Sequence, residues 1–328
     1  MSLPPFVSII IPTYNRAQTL PATLESFLAQ NYPRDCYEIL IVDNNSTDTT
    51  HKITARYIDS SAVLVKYLFE PRQGVHYARN SAAKKANGDI LYFTDDDMVA
   101  DPALLHELVK VFELFPEVGC ATGLILPRFE KEPPEWVRRY LWNHYLSVTE
   151  KSRLEELIIT PNDLVYSCHQ AVRRDLFFQA GGFNPENTAG IWIGDGETGL
   201  NIKIKNLGGK FAYTSHAIIH HIIPETRATL GYLLQRTGNQ GFCDSYTEYR
   251  VHRERAKIIP LMVKRNATRL IKTLGITLMQ IVVGSRSWHF LPAALIYFHK
   301  RNVYDFKLLA DESFRKLAEV DDWIHHAG

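Results

Sequence analysis

Four times within the first 115 residues, a short apolar run rich in β-branched residues gives way to a segment with helical spacing. The apolar runs are FVSIIIPTY, YEILIVD, AVLVKYLFE and DILYFT. Each is short enough for a strand buried on both faces. The segments between them carry helix marks. AQTLPATLESFLAQ sets Leu20, Leu24, Phe27 and Leu28 on one face, and Ser46–Thr49 can cap a helix over about 47–57. GVHYARNSAAKKANG ends at Gly88, and PALLHELVKVFELF starts at Pro102. Repeated strand–helix units predict a parallel sheet with helices on both faces, and in such sheets ligands bind beyond the carboxyl ends of the strands. PTYN, DNNS and TDDD all stand at such ends, so they should meet in one crevice.

The three adjacent carboxylates Asp95, Asp96 and Asp97 repel one another unless a cation is near. A hard divalent ion, Mg²⁺ or Mn²⁺, takes oxygen ligands and binds through one or two carboxylates plus substrate phosphates. Asp95 and Asp97 suit that role, since alternate residues of an extended segment share a side. The other reading is a solvated acidic turn ahead of the helix at Pro102. Asp43 closes a second strand, where its carboxylate can accept from a base N–H or form a turn with Asn44. Tyr14 can pack on a base or ribose, or on the rim of the core.

After residue 115 the pattern is less regular. VGCATGLILPRF and KFAYTSHAIIHHIIP read as strands. YSCHQAVRRDLFFQAGGF reads as strand, helix and glycine stop, and DGETGLNIKIKNLGG as a helix with Leu200, Ile204 and Leu207 inward. From about 226 onward the pattern is helical.

The succession VSIIIPTYNRAQTLPATLESFLAQNYP, EILIVDNNSTDTT, GVHYARNSAAKKANGDILYFTDDD, GGF and GDGETGL resembles the inverting glycosyltransferases of family two, over roughly residues 6–225. The resemblance implies a GT-A fold: an α/β nucleotide-binding domain with a mostly parallel central sheet flanked by helices. A nucleotide-sugar half would span about 1–125 and an acceptor half about 126–225, with 226–328 a helical C-terminal extension. It implies a nucleotide-sugar donor, a UDP-sugar first, and a divalent metal cofactor. Pro12, Thr13, Tyr14, Asn15, Asp43, Arg79, Asp95 and Asp96 would then bind the nucleotide. Asp97, with Asp95 and a histidine of HAIIHHII, would hold the metal; His221 is the candidate and His220 the alternative. The family's acidic pair is altered here, because Gly196 separates Asp195 from Glu197. Alignment through Leu200 puts Glu197 on the catalytic base and Asp195 on the acceptor side, with Asp195 the alternative base. Trp192 is a candidate for stacking on an acceptor sugar.

The N-terminal stretch has no charged n-region or small-residue cleavage site, which predicts a cytoplasmic protein. Between Arg250 and Arg301 the only acid is Glu254. LIKTLGITLMQIVVG is too short and too interrupted to span a bilayer. Peripheral contact with an anionic membrane, near a lipid-linked or glycan acceptor, is one reading, and a packed helical tail with a solvated basic face is the other. The net charge of +1 names no partner. The four cysteines lack metal-ligand spacing. No GxGxxG follows the first strand, which disfavours a dinucleotide-dependent dehydrogenase, and no nucleic-acid-reading motif is present. A nucleotidyltransferase and a non-catalytic glycan-binding module are the competing classes.

Overall fold

The computed structural model describes residues 3–140, 145–149, 157–160, 165–185, 194–282 and 290–326. Strands β1 (Val7–Thr13), β2 (Tyr37–Asp43), β3 (Leu64–Phe69) and β4 (Ile90–Thr94) are the apolar runs expected from the sequence. They pair in parallel in the order β3-β2-β1-β4. Helices α1 (Leu20–Leu28), α2 (Thr50–Ser60), α3 (Val75–Ala83) and α4 (Leu104–Leu114) follow in turn. Every residue of β1, β2 and β4 is buried, which is why these runs carry no polar alternation.

The second half departs from the parallel expectation. Strands β6 (Val118–Phe129), β8 (His169–Arg173) and β9 (Lys210–Ile223) extend the sheet, and β8 runs antiparallel to both β4 and β6. A three-residue strand, β5 (Met98–Ala100), follows the aspartates and pairs antiparallel with β9, as does β7 (Leu157–Thr160). The sheet is therefore parallel in its first four strands and mixed beyond them. Short helices α5 (Glu135–Tyr140) and α6 (Arg174–Gln179) decorate this half, and α7 (Gly196–Asn206) carries the altered acidic pair. Leu200 and Ile204 of α7 point inward as expected, but Leu207 is 50% exposed, because the helix has ended at Asn206 and the chain turns there.

Helices α8 (Leu230–His252), α9 (Arg255–Val282), α10 (Phe290–Ala310) and α11 (Glu312–Ala318) complete the fold around their own core of Phe242, Tyr246, Tyr304, Phe314 and Trp323. The chain's last turn docks on the body: Trp323 donates its backbone N–H to the Gly181 carbonyl at 2.9 Å. Gly182 has a φ of +70°, and a Cβ there would lie 2.6 Å from Ile324 and 2.7 Å from Asn80, so the GGF turn admits only glycine at that position. Part of the basic excess of residues 250–301 is met from outside that window. Arg265 pairs with Glu248 and Asp305, Arg301 with Asp244 and Glu248, and Arg250 and Arg253 with Asp321. Among the described residues no helix is long and apolar enough to cross a membrane.

Candidate active site

Thr13 and Asp43 are register partners at the ends of β1 and β2, and β4 lies on the other side of β1. The three polar strand ends thus open on one cleft, of about 360 Å³. Its lining includes Pro12, Thr13, Tyr14, Arg79, all three aspartates, Glu197 and His221.

Strand β5, not anticipated from the sequence, builds the part of the cleft around Asp97. Met98 is the register partner of His221, and the Ile222 N–H donates to the Asp97 carbonyl at 2.9 Å. These backbone pairings set Asp97 beside His221, with His221 Nε2 3.8 Å from Asp97 Oδ1. His221 Nδ1 lies 2.8 Å from the Leu146 carbonyl, an acceptor only, so Nδ1 carries the proton and Nε2 presents its lone pair. Arg227, on a single 3-10 turn (Glu225–Arg227) before α8, donates to that lone pair at 2.7 Å and to Asp97 Oδ2 at 2.9 Å. Burial opposes ionisation of Asp97, but the polar and cationic groups around it outweigh that and hold the carboxyl below the usual range. Asp97 Oδ1 is buried with no hydrogen-bond partner.

That orphan oxygen and the lone pair of His221 fit a divalent ion. Among the described residues no group of three or more His, Cys, Asp or Glu side chains could hold a metal. A two-donor set suits an ion that completes its shell with water and substrate phosphate.

The other two aspartates are differently employed. Asp96 accepts from the Thr13 hydroxyl at 2.7 Å, and burial first, then the Asp97 charge, pushes its carboxyl above the usual range. Asp95 is paired with Arg79 rather than turned toward His221. Arg79 is 1% exposed and reaches His76 Nδ1 at 3.3 Å through its other arm. His76 stacks on Phe183 with ring centroids 4.6 Å apart, and its Nε2 is 3.8 Å from Glu197 Oε2. Asn80 donates to the Phe183 carbonyl at 2.8 Å and accepts from its N–H at 2.9 Å, which ties the ARN segment to the GGF turn.

Glu197 and Asp195 separate cleanly. Glu197 lies in the first turn of α7, faces the cleft, and accepts from Ser167 at 3.2 Å. Asp195 does not line the cleft. It is buried, accepts from Asn184 at 2.7 Å and from Thr247 at 2.9 Å, and burial raises its carboxyl above the usual range. Trp192 lies outside the described residues.

On the nucleoside side Tyr14 is 48% exposed in the cleft. Asn15 stitches two loops: it accepts from the Thr47 N–H at 2.8 Å and donates its own N–H to Ser46 at 2.9 Å, in a left-handed conformation. Asp43 is 2% exposed, with Oδ1 accepting from the Ser46 N–H and Oδ2 from the Tyr67 hydroxyl, both at 2.8 Å. Neither residue lines the cleft. Sequence reasoning missed His76, whose signal was its position three residues before Arg79 on one helix face, and Ser167, which carries no motif.

Comparisons with known proteins agree with this architecture. The mannosyltransferase PcManGT from Pyrobaculum calidifontis, solved in complex with GDP-Man and Mn²⁺, superposes with a TM-score of 0.62 at 21% identity, covering 93% of this chain and 88% of its own. The glucosyl-dolichyl phosphate glucuronosyltransferase of Haloferax volcanii is 25% identical over 242 residues, 72% of this chain and 75% of that protein. A 93-residue stretch is 39% identical to the glycosyltransferase AglE of the same organism, and spans 28% of this chain and 31% of AglE. The succinoglycan biosynthesis protein ExoM of Rhizobium meliloti is 25% identical over 72% of each chain. The profile of glycosyl transferase family 2 matches residues 8–179 of the 328, and with the strand order and the cleft described above, the chain belongs to glycosyl transferase family 2.

Proposed function

We propose that this chain transfers a sugar from a nucleotide-sugar to a hydroxyl of a lipid-linked or glycan acceptor in a single inverting displacement. One observation carries the reading: a cleft at the strand ends holds the Asp97–His221 donor pair and, separately, the cleft-facing carboxylate of Glu197. Asp97 and His221 would hold Mn²⁺ or Mg²⁺. Such an ion, when bound, supplies a Lewis acid for the charge on the departing diphosphate. Glu197 accepts the proton of the attacking hydroxyl. As the acceptor oxygen bonds to the anomeric carbon, the bond to the diphosphate breaks and its electron pair leaves with the nucleoside diphosphate. Attack from the opposite face inverts the anomeric centre.

Uridine is the first nucleobase to test, on the strength of the resemblance at Asp43. Both Asp43 oxygens are engaged within the fold, so stacking on Tyr14 carries more of the base contact than Asp43 does. The name of the Haloferax glucuronosyltransferase supports a lipid-linked acceptor. The exposed apolar residues Ile259, Val263, Leu274 and Leu295 on α9 and α10 support a peripheral membrane contact.

The test is calorimetric titration of UDP, and in parallel GDP, into wild type and Asp97→Asn with Mn²⁺ or chelator. Binding that needs both the metal and Asp97 is expected. A donor screen with Glu197→Gln as control then identifies the sugar. Nucleotide binding indifferent to metal and to Asp97 overturns the donor-site reading.

A further inference from the structure

Arg227 holds the two side chains through which this chain would grip a divalent ion, and on His221 it takes the very lone pair the ion would need. One guanidinium nitrogen lies 2.7 Å from His221 Nε2 and the other 2.9 Å from Asp97 Oδ2. The arrangement is built rather than incidental. Asp97 is 3% exposed, and the Leu146 carbonyl fixes the His221 tautomer so that the lone pair faces Arg227. A guanidinium cannot lose its proton to make way, so while it occupies the His221 lone pair a metal ion cannot, and Asp97 Oδ1 alone stays open.

We propose that Arg227 is the site's internal cation, which exchanges with the metal and then neutralises the donor diphosphate. This rests on the metal reading above and extends it. While Arg227 bridges Asp97 and His221, the pair is charge-balanced and metal affinity is low. When Arg227 leaves them, it needs a new anion. Asp95 is already paired with Arg79, Asp96 is bonded to Thr13, and Glu197 is taken up by Ser167 beside His76, so a diphosphate entering the cleft is the partner of the right charge. Metal and nucleotide should therefore bind cooperatively, because each relieves the displacement of Arg227 that the other requires.

The experiment measures Mn²⁺ affinity of the full chain by electron paramagnetic resonance, with and without UDP and GDP, in wild type, Arg227→Met and Arg227→Lys. Wild type should bind Mn²⁺ alone weakly, and at least ten-fold tighter with the matching nucleotide. Arg227→Met should bind Mn²⁺ alone at least ten-fold tighter than wild type and lose most of the nucleotide enhancement. Arg227→Lys, which keeps the charge but reaches only one donor atom, should fall between them. Circular dichroism melts confirm that each variant is folded. Mn²⁺ binding that requires Asp97 and His221 but is unchanged or weaker in Arg227→Met overturns the exchange alone. Mn²⁺ binding indifferent to Asp97→Asn and His221→Ala overturns the metal reading itself.

Discussion

Replacing Asp195 and Glu197 in turn should separate stability from turnover, although Gly196 alone stands between them. Asp195→Ala leaves the buried Asn184 amide without its acceptor and removes the acceptor of the Thr247 hydroxyl. Thr247 can fall back on the Cys243 carbonyl at 3.0 Å, and the Asn184 amide N–H has no second acceptor among the described residues. One lost charge-assisted hydrogen bond plus one unsatisfied buried donor costs about 2–4 kcal/mol. That is a large share of a typical domain's stability. Glu197→Gln keeps the length of the side chain and an oxygen for Ser167, so stability should change by no more than ~1 kcal/mol. Turnover, however, should fall by a factor of about 10²–10⁴, the usual contribution of a positioned base. Urea unfolding gives the first quantity and initial rates at saturating donor the second. An Asp195→Ala protein of near wild-type stability with turnover as low as Glu197→Gln would refute the assignment, as would a Glu197→Gln protein with more than a tenth of wild-type turnover.

Other consequences can be measured independently. Gly199→Ala should destabilise the chain, since a Cβ there would stand 2.0 Å from Asp195 Oδ1 and 2.1 Å from Asn184 Nδ2; a melting temperature equal to wild type would contradict the packing. Burial lowers the His169 imidazole from 6.5 to about 4, with its nitrogens bonded to Tyr92 at 2.8 Å and Ala217 at 3.0 Å. The unfolded chain then binds the proton more readily. This contribution is complete above pH 6.5 and is lost as pH falls toward 4, by about 3 kcal/mol at 1.36 kcal/mol per pH unit. The difference in unfolding free energy between wild type and His169→Gln should shrink by about that much from pH 7.5 to pH 4.5; a constant difference would argue against it. Finally, the full chain should co-sediment with anionic phospholipid vesicles and the Ile259→Glu/Val263→Glu variant should not, whereas equal recovery of both in the pellet would assign the contact to another face.

Much of this was legible because periodicity is local. The runs that became β1, β2 and β4 are mostly apolar, as strands covered on both faces are, and their polar ends marked the cleft; the edge strand β3 carries Lys66 and exposed Leu64 and Phe69. What stayed hidden depended on distant partners. In AIIHHII one face carries Ala217, Ile219, His221 and Ile223, and the other Ile218, His220 and Ile222, so alternation could not choose between the histidines. The choice falls to register: Met98 pairs with His221, and the β6–β9 ladder shifts at Gly123/Leu124. A strand of three residues is too short to announce itself, so β5 and the neighbourhood it creates were invisible. Asp195 and Glu197 differ in no local property. Only Asn184 and Thr247, distant from each other in sequence, reveal which carboxylate is turned inward.

The pairing of Arg265 and Arg301 with Glu248, Asp244 and Asp305 changes how the helical extension should respond to ionic strength. A stretch so basic in sequence would ordinarily be expected to release an anionic surface as salt rises, because exposed charges are screened within about 8–10 Å. Here Arg265 and Arg301 are satisfied beneath the surface, and the exposed side of α9 and α10 carries Ile259, Val263, Leu274 and Leu295 as well as Lys257 and Lys264. The part of a contact made through those apolar residues is held by removal of apolar area from water. Sulfate and other strongly hydrated salts should therefore tighten the apolar part of the membrane contact proposed above, and a salt wash would not reverse it.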